Sequence, residues 1–78
     1  MSDADETKTV VVNGQYVVMV SSPDERVGVL AHRALAAEEY DWTAFEIRDE
    51  AGRLLAPNTR CGEIPGLLYV TKPIGWGG

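Results

Sequence analysis

Cysteine is nearly absent: Cys61 is the only one in 78 residues, so no disulfide can form within the chain and packing alone must hold the fold. Positive charge is also scarce, with seven Lys and Arg against twelve Asp and Glu and a net charge of -5. That balance argues against nucleic acid or anionic lipid as a partner. No apolar run approaches the length of a membrane span. There is one histidine, His32, with no second His, Cys or Asp at ligand spacing, which leaves no metal site to propose. A lone cysteine without a leader pattern points to a reducing cytoplasm. The length allows one domain near the lower limit for a self-supporting core.

What is present is organised. Residues 1–7, within "MSDADETK", are polar, acidic and aperiodic, and predict a disordered arm. "TVVVNGQYVVMV" follows, two β-branched runs around Asn13-Gly14. That dipeptide suits the two positive-φ positions of a type I′ turn. A two-residue loop pairs Val12 with Gln15, Val10 with Val17 and Lys8 with Met19. Val10, Val12, Val17 and Met19 then share one face, and Val11, Tyr16 and Val18 the other. A slip of one residue would exchange the faces, so apolar groups remain outside in either register.

"SSPDERVGVLAHRALAAEE" predicts a helix. Ser22 and Glu25 have capping-box spacing, with Pro23 at the first helical position. Val27, Leu30, Ala31, Ala34 and Leu35 form a narrow stripe suited to lying across a sheet. In "FEIRDEAGRLLA", Phe45 and Ile47 point inward and Glu46 and Arg48 outward. Gly52 stands where a hairpin needs a left-handed residue, and a short second strand follows. "LLYVTK" is the last strand, with Leu68 and Val70 inward and Tyr69 and Thr71 outward, and Pro73 ends it. Glu38, Glu39, Asp49 and Glu50 read as solvated charges, and Cys61 as a small buried apolar group.

Strand, strand, helix, strand, short strand, strand is an α+β β-grasp order, with one helix on a mixed four- to five-stranded sheet. The domain is expected over residues 8–72 and a flexible tail over 73–78. The "VVVNGQYVVMV" hairpin, the helix after "SSPDE", the "FEIRDEAGRLLA" hairpin and the strand running into Gly77-Gly78 resemble the ubiquitin superfamily. "EIRDEAG" with "PIGWGG" looks like the bacterial ubiquitin-like proteins of E1, E2 and JAB-type peptidase operons. The resemblance implies a protein modifier rather than an enzyme. An E1-like enzyme would use ATP to activate the Gly78 carboxylate, and an E2-like enzyme would carry it as a thioester to a target amine. A JAB-type peptidase, homo-oligomers and a role in antiphage defence are implied as well. The chain itself would need no cofactor. Ubiquitin has basic residues before its diglycine, whereas Ile74, Gly75 and Trp76 stand here, so a ubiquitin-specific E1 should reject it. Lys8 and Lys72 are the only lysines, too few for elaborate chains.

Glycine at the reactive end has its own rationale. Without Cβ atoms, Gly77 and Gly78 can thread a narrow channel and leave the acyl carbon open to attack. Pro73 would stiffen the exit, Gly75 would supply a hinge, and Trp76 would anchor the tail in an enzyme or fold back on the domain; with Ile74 these are the tail residues that an E1, E2 or peptidase would recognise. Val11, Tyr16, Val18 and Tyr69 form a second candidate site, a docking or self-association patch opposite the helix. Two other roles remain open: a sulfur carrier with a C-terminal thiocarboxylate, and a non-covalent β-grasp interaction module.

Overall fold

The structure is a computed structural model and describes residues 6–73. It contains β1 (Glu6–Val12), β2 (Gln15–Ser21), α1 (Val27–Ala37), β3 (Glu46–Arg48), a 3-10 turn (Cys61–Glu63) and β4 (Leu68–Thr71). The four strands form one sheet in the order β2-β1-β4-β3. β1 pairs antiparallel with β2 and parallel with β4, and β3 pairs antiparallel with β4. This is the expected β-grasp arrangement, with four strands. The anticipated short strand after Gly52 is reduced to an isolated bridge from Arg48 to Leu54. Residues 1–5 of the expected arm lie outside the described residues. Glu6 and Thr7 do not belong to an arm, because they pair with Ser21 and Val20.

The hairpin has the register that Asn13-Gly14 predicts, with Val12 opposite Gln15, Val10 opposite Val17 and Lys8 opposite Met19. Both turn residues have positive φ, 51° and 84°, as a type I′ turn requires. Val10, Val12 and Val17 enter the core with Leu68, Val70 and Ile47 from the other strands. The helical stripe Val27, Leu30, Ala31, Ala34 and Leu35 is buried over them, and Met19, Tyr40, Trp42, Phe45, Leu55 and Ile64 pack at the margin.

The helix starts later than its sequence signals suggest. Ser22 and Glu25 do not cap it. The Glu25 N–H bonds the Ser22 carbonyl at 3.0 Å and the Asp24 N–H bonds Ser22 Oγ at 3.2 Å, which closes a separate turn. Arg26 is the N-cap and makes no side-chain cap bond. The orphan donors of the first turn find backbone instead: Val27 N–H bonds the Thr59 carbonyl and Gly28 N–H the Pro57 carbonyl, both at 2.8 Å. In return Cys61 N–H bonds the Glu25 carbonyl at 2.8 Å and Gly62 N–H that of Pro23 at 2.9 Å. A strap of chain over 57–62 thereby does the work of a side-chain cap.

At its other end the helix closes through a Schellman motif. Tyr40 N–H bonds the Leu35 carbonyl at 2.9 Å and Glu39 N–H that of Ala36 at 3.0 Å. Glu39 takes the left-handed position with φ 63°, where glycine is usual. Asp49 is buried rather than solvated. It accepts bonds from the backbone N–H groups of Ala51 (2.9 Å) and Arg53 (3.0 Å) and pairs with the Arg53 guanidinium at 2.9 Å. Glu50 is exposed but also engaged, accepting the Leu67 N–H at 3.1 Å.

Two measurements test these contacts. A Cβ at Gly28 would stand 2.9 Å from Pro57 Cβ and 3.0 Å from the Pro57 oxygen. Helix propensity favours Gly28→Ala by about 1 kcal/mol, but overpacking costs about 1–3 kcal/mol. Urea unfolding should therefore show net destabilisation, and a stabilised variant would contradict the strap. The second concerns Asp49, whose carboxyl is held below the usual range. The Arg53 backbone N–H contributes most; burial opposes it, and the Arg53 side chain and Ala51 N–H assist. A depressed folded pKa contributes stability above the unfolded value of about 3.9 and loses it as pH falls through the folded value. The gap in melting temperature between wild type and Asp49→Asn should be widest near ~pH 7 and close progressively below ~pH 4. A gap independent of pH would contradict the assignment.

Candidate functional site

The root of the tail is the first place to look. β4 runs parallel to β1 and finishes beside the hairpin turn, where Asn13 N–H reaches the Val70 carbonyl at 3.4 Å. On the other side Thr71 pairs with Glu46. The chain therefore leaves the sheet from an inner strand, between the turn and the start of β3. Lys72 is exposed and Pro73 half-buried. Ile74, Gly75, Trp76, Gly77 and Gly78, which carry the expected tail chemistry, lie outside the described residues.

An aromatic platform flanks this root. Lys72 Nζ stands 5.5 Å from the Trp42 ring centroid, within cation–π range. Trp42 packs on Tyr40, with centroids 5.0 Å apart and planes tilted by 40°. The Tyr40 hydroxyl donates to Gln15 Oε1 and accepts from Asn13 Nδ2, both at 3.5 Å, long enough to make both bonds weak. A cleft of about 190 Å³ opens between Asp41, Trp42, Thr43, Ala44 and Lys72. The sequence reading passed over Tyr40 and Trp42. The available signal was the aromatic pair in "EEYDWT", just after the helix stripe ends.

The outer sheet face differs in one respect from expectation. Tyr16, Val11, Tyr69 and Arg48 form a row across all four strands, since Val11 pairs with Tyr16 and Tyr69, and Tyr69 with Arg48. Val11 is only 6% exposed and is no part of an accessible patch. It sits on an inner strand between two cross-strand tyrosines, which shield it. Tyr69 is half-buried. The exposed apolar groups are Tyr16 at 69%, Val18 at 65% and Val20 at 58%, all on β2. Val20 extends the patch along β2, whereas the proposed patch ran across the strands to Tyr69. Toward β3 the face becomes charged, where Arg48 Nη1 lies 3.0 Å from Glu46 Oε1.

A third feature is a cavity of about 610 Å³ between the first half of β1 and the segment 61–67. Lys8 crosses it to donate to the Ile64 carbonyl, and Cys61 borders it. That cysteine is 5% exposed, and burial pushes its thiol pKa up, with the Ser21 hydrogen bond opposing and the Glu25 charge adding to the rise. A protonated, enclosed thiol is a poor nucleophile. His32 is exposed on the helix. No group of metal-binding side chains occurs among the described residues, and none of their helices is long and apolar enough to cross a membrane.

No family model matches the sequence, and no curated protein matches it. Among solved structures, the chain is similar to a de novo designed protein based on ubiquitin, with a TM-score of 0.74 at 17% identity, covering 99% of each chain. Identity that low speaks to the backbone and not to the chemistry. Together with one helix on a mixed four-stranded sheet, it establishes that this chain has the ubiquitin-like β-grasp fold.

Proposed function

We propose that the chain is a ubiquitin-like protein modifier of the bacterial conjugation type, with Gly78 as acyl donor. The observation that carries the reading is the place where the chain leaves the sheet. The chain departs from an inner strand of a ubiquitin-like fold at Pro73, beside Trp42 and Lys72, and its sequence ends in Gly77-Gly78. In the described body the one thiol is buried, and Asp49 and Glu50 are engaged in hydrogen bonds to backbone N–H groups.

In the proposed sequence a carboxylate oxygen of Gly78 attacks the α-phosphorus of ATP on an E1-like enzyme, and pyrophosphate leaves. A cysteine thiolate of that enzyme attacks the acyl carbon, AMP leaves, and a thioester forms. Transfer to an E2-like cysteine and attack by a target amine complete the reaction, releasing the thiol. A JAB-type peptidase would hydrolyse the product or trim residues beyond Gly78. Trp42 and Lys72 would meet these enzymes at the tail root, with Ile74 and Trp76 farther out. Antiphage defence is the setting that the resemblance to "EIRDEAG" and "PIGWGG" suggests. Lys8 is engaged with the Ile64 carbonyl, which leaves Lys72 as the exposed acceptor on the body.

Intact mass after incubation with an E1-like enzyme of this class and ATP tests the proposal. A thioester that hydroxylamine cleaves, absent when Gly77-Gly78 is deleted, is the expected result. Exchange of a carboxylate oxygen for sulfur would replace the reading with that of a sulfur carrier. An unchanged mass with every enzyme of the class would leave a non-covalent module.

A further inference from the structure

The two edges of the sheet are built differently. β3 is three residues long, carries the Glu46–Arg48 ion pair and is bridged at Arg48 by Leu54. Such short, charged and covered strands resist pairing with another chain. β2, the opposite edge, runs seven residues as "QYVVMVS", with no charge, proline or glycine.

Its unpaired backbone can be assigned. Val12 and Gln15 flank a two-residue turn, so they form a hydrogen-bonded pair, and alternate residues follow. Gln15, Val17, Met19 and Ser21 thus bond to β1, whereas Tyr16, Val18 and Val20 turn their N–H and C=O groups to the open edge. Arg33 Nη2 confirms the direction, donating to the Val20 carbonyl from outside the sheet at 3.0 Å. Among the described residues no backbone group bonds to this edge. These are also the three residues of β2 that expose large apolar side chains, and of their edge groups only the Val20 carbonyl is engaged, by Arg33.

We infer that β2 pairs antiparallel with β2 of a second copy, with Val18 on the two-fold axis. The occupant follows from the strand's own pattern. Around Val18 the outward groups are self-complementary: Tyr16 meets Val20 of the second copy, large against small, and Val18 meets Val18. With no charge on the strand, like never faces like charge. The pairing is isologous and closes on itself, adding about six backbone hydrogen bonds. The second lone pair of the Val20 carbonyl remains for this bond while Arg33 holds the first. Three exposed side chains supply only part of the roughly 800 Å² per partner of a standard interface. The dimer therefore forms at micromolar or higher concentration, and the net charge of -5 on each copy makes it tighter as salt is raised. Pro73 follows β4, two strands away, so the inference stands apart from the tail chemistry.

Sedimentation velocity over a concentration series on the full chain is the test, supplemented by charge-swapped variants. Wild type should pass from monomer to dimer, and deletion of Gly77-Gly78 should leave that transition unchanged. Val18→Lys and Val18→Glu should each remain monomeric, weakening association at least about tenfold, because identical charges would face each other across the axis. Their equimolar mixture should dimerise again, which only a Val18-to-Val18 register provides. Amide NMR on diluted wild type serves if a variant does not fold, with shifts expected at Tyr16, Val18 and Val20. A wild type monomeric to about millimolar concentration, a dimer that survives either substitution, a mixture without recovery, or dilution shifts elsewhere would each overturn the inference.

Discussion

The left-handed pair Asn13-Gly14 is the constraint on which the rest of the molecule depends. A type I′ turn matches the twist of the strands it joins, and a two-residue loop leaves one register. That register sends Val10, Val12 and Val17 toward the helix and Tyr16, Val18 and Val20 away from it. It also determines which backbone groups of β2 point outward. A shift by one residue would place Tyr16 under α1 and turn Val10, Val12 and Val17 out of the core.

From the hairpin the other elements follow in order. β1 is an inner strand, so β4 can lie parallel to it, and β4 then delivers the chain to the end of the sheet where the turn sits. Parallel pairing requires a long crossover. Here the crossover includes α1, β3 and the strap at 57–62, which closes over the start of the helix. The strap answers a problem of size. A domain this small has no disulfide and a modest core, and paired backbone across the helix start satisfies donors that would otherwise need water or a cap.

Turn chemistry made the hairpin register legible in the sequence, periodicity the helix stripe and the inward pair Leu68 and Val70, and the missing N–H of proline the stop at Pro73. Each rests on interactions between near neighbours. What was not legible depends on distant segments. Ser22 and Glu25 have capping-box spacing, but the helix takes its partners from Pro57 and Thr59, about thirty positions along the chain. The helix end carries glutamate where glycine is usual, so the Schellman turn at Glu39 left no compositional mark. Asp49 read as a turn acid because nothing local reveals that Arg53 folds back on it. Val11 read as exposed because alternation gives the face and not the neighbours, and two tyrosines from separate strands close over it. The same limit hid the tail root: Trp42 and Lys72 are thirty residues apart and meet only once β4 is in place.

On the proposed readings of tail and edge strand, the fold separates two tasks that a single surface would confound. A tail that must enter another protein's active site needs a clear approach, and any partner bound across its root would block it. The inner position of β4 puts that root between the hairpin turn and β3, whereas the free edge of β2 lies two strands away. Pairing at β2 extends the sheet sideways and consumes backbone that α1 does not need, so the helix-side core is the same in one copy or two. Charge follows the same division. The ion pair of the outer face sits near β3, whereas β2 carries no charge of its own and meets charge only at its Val20 end, where Arg33 holds the carbonyl and pairs with Glu25, so its middle is the least repulsive line for the approach of a second sheet.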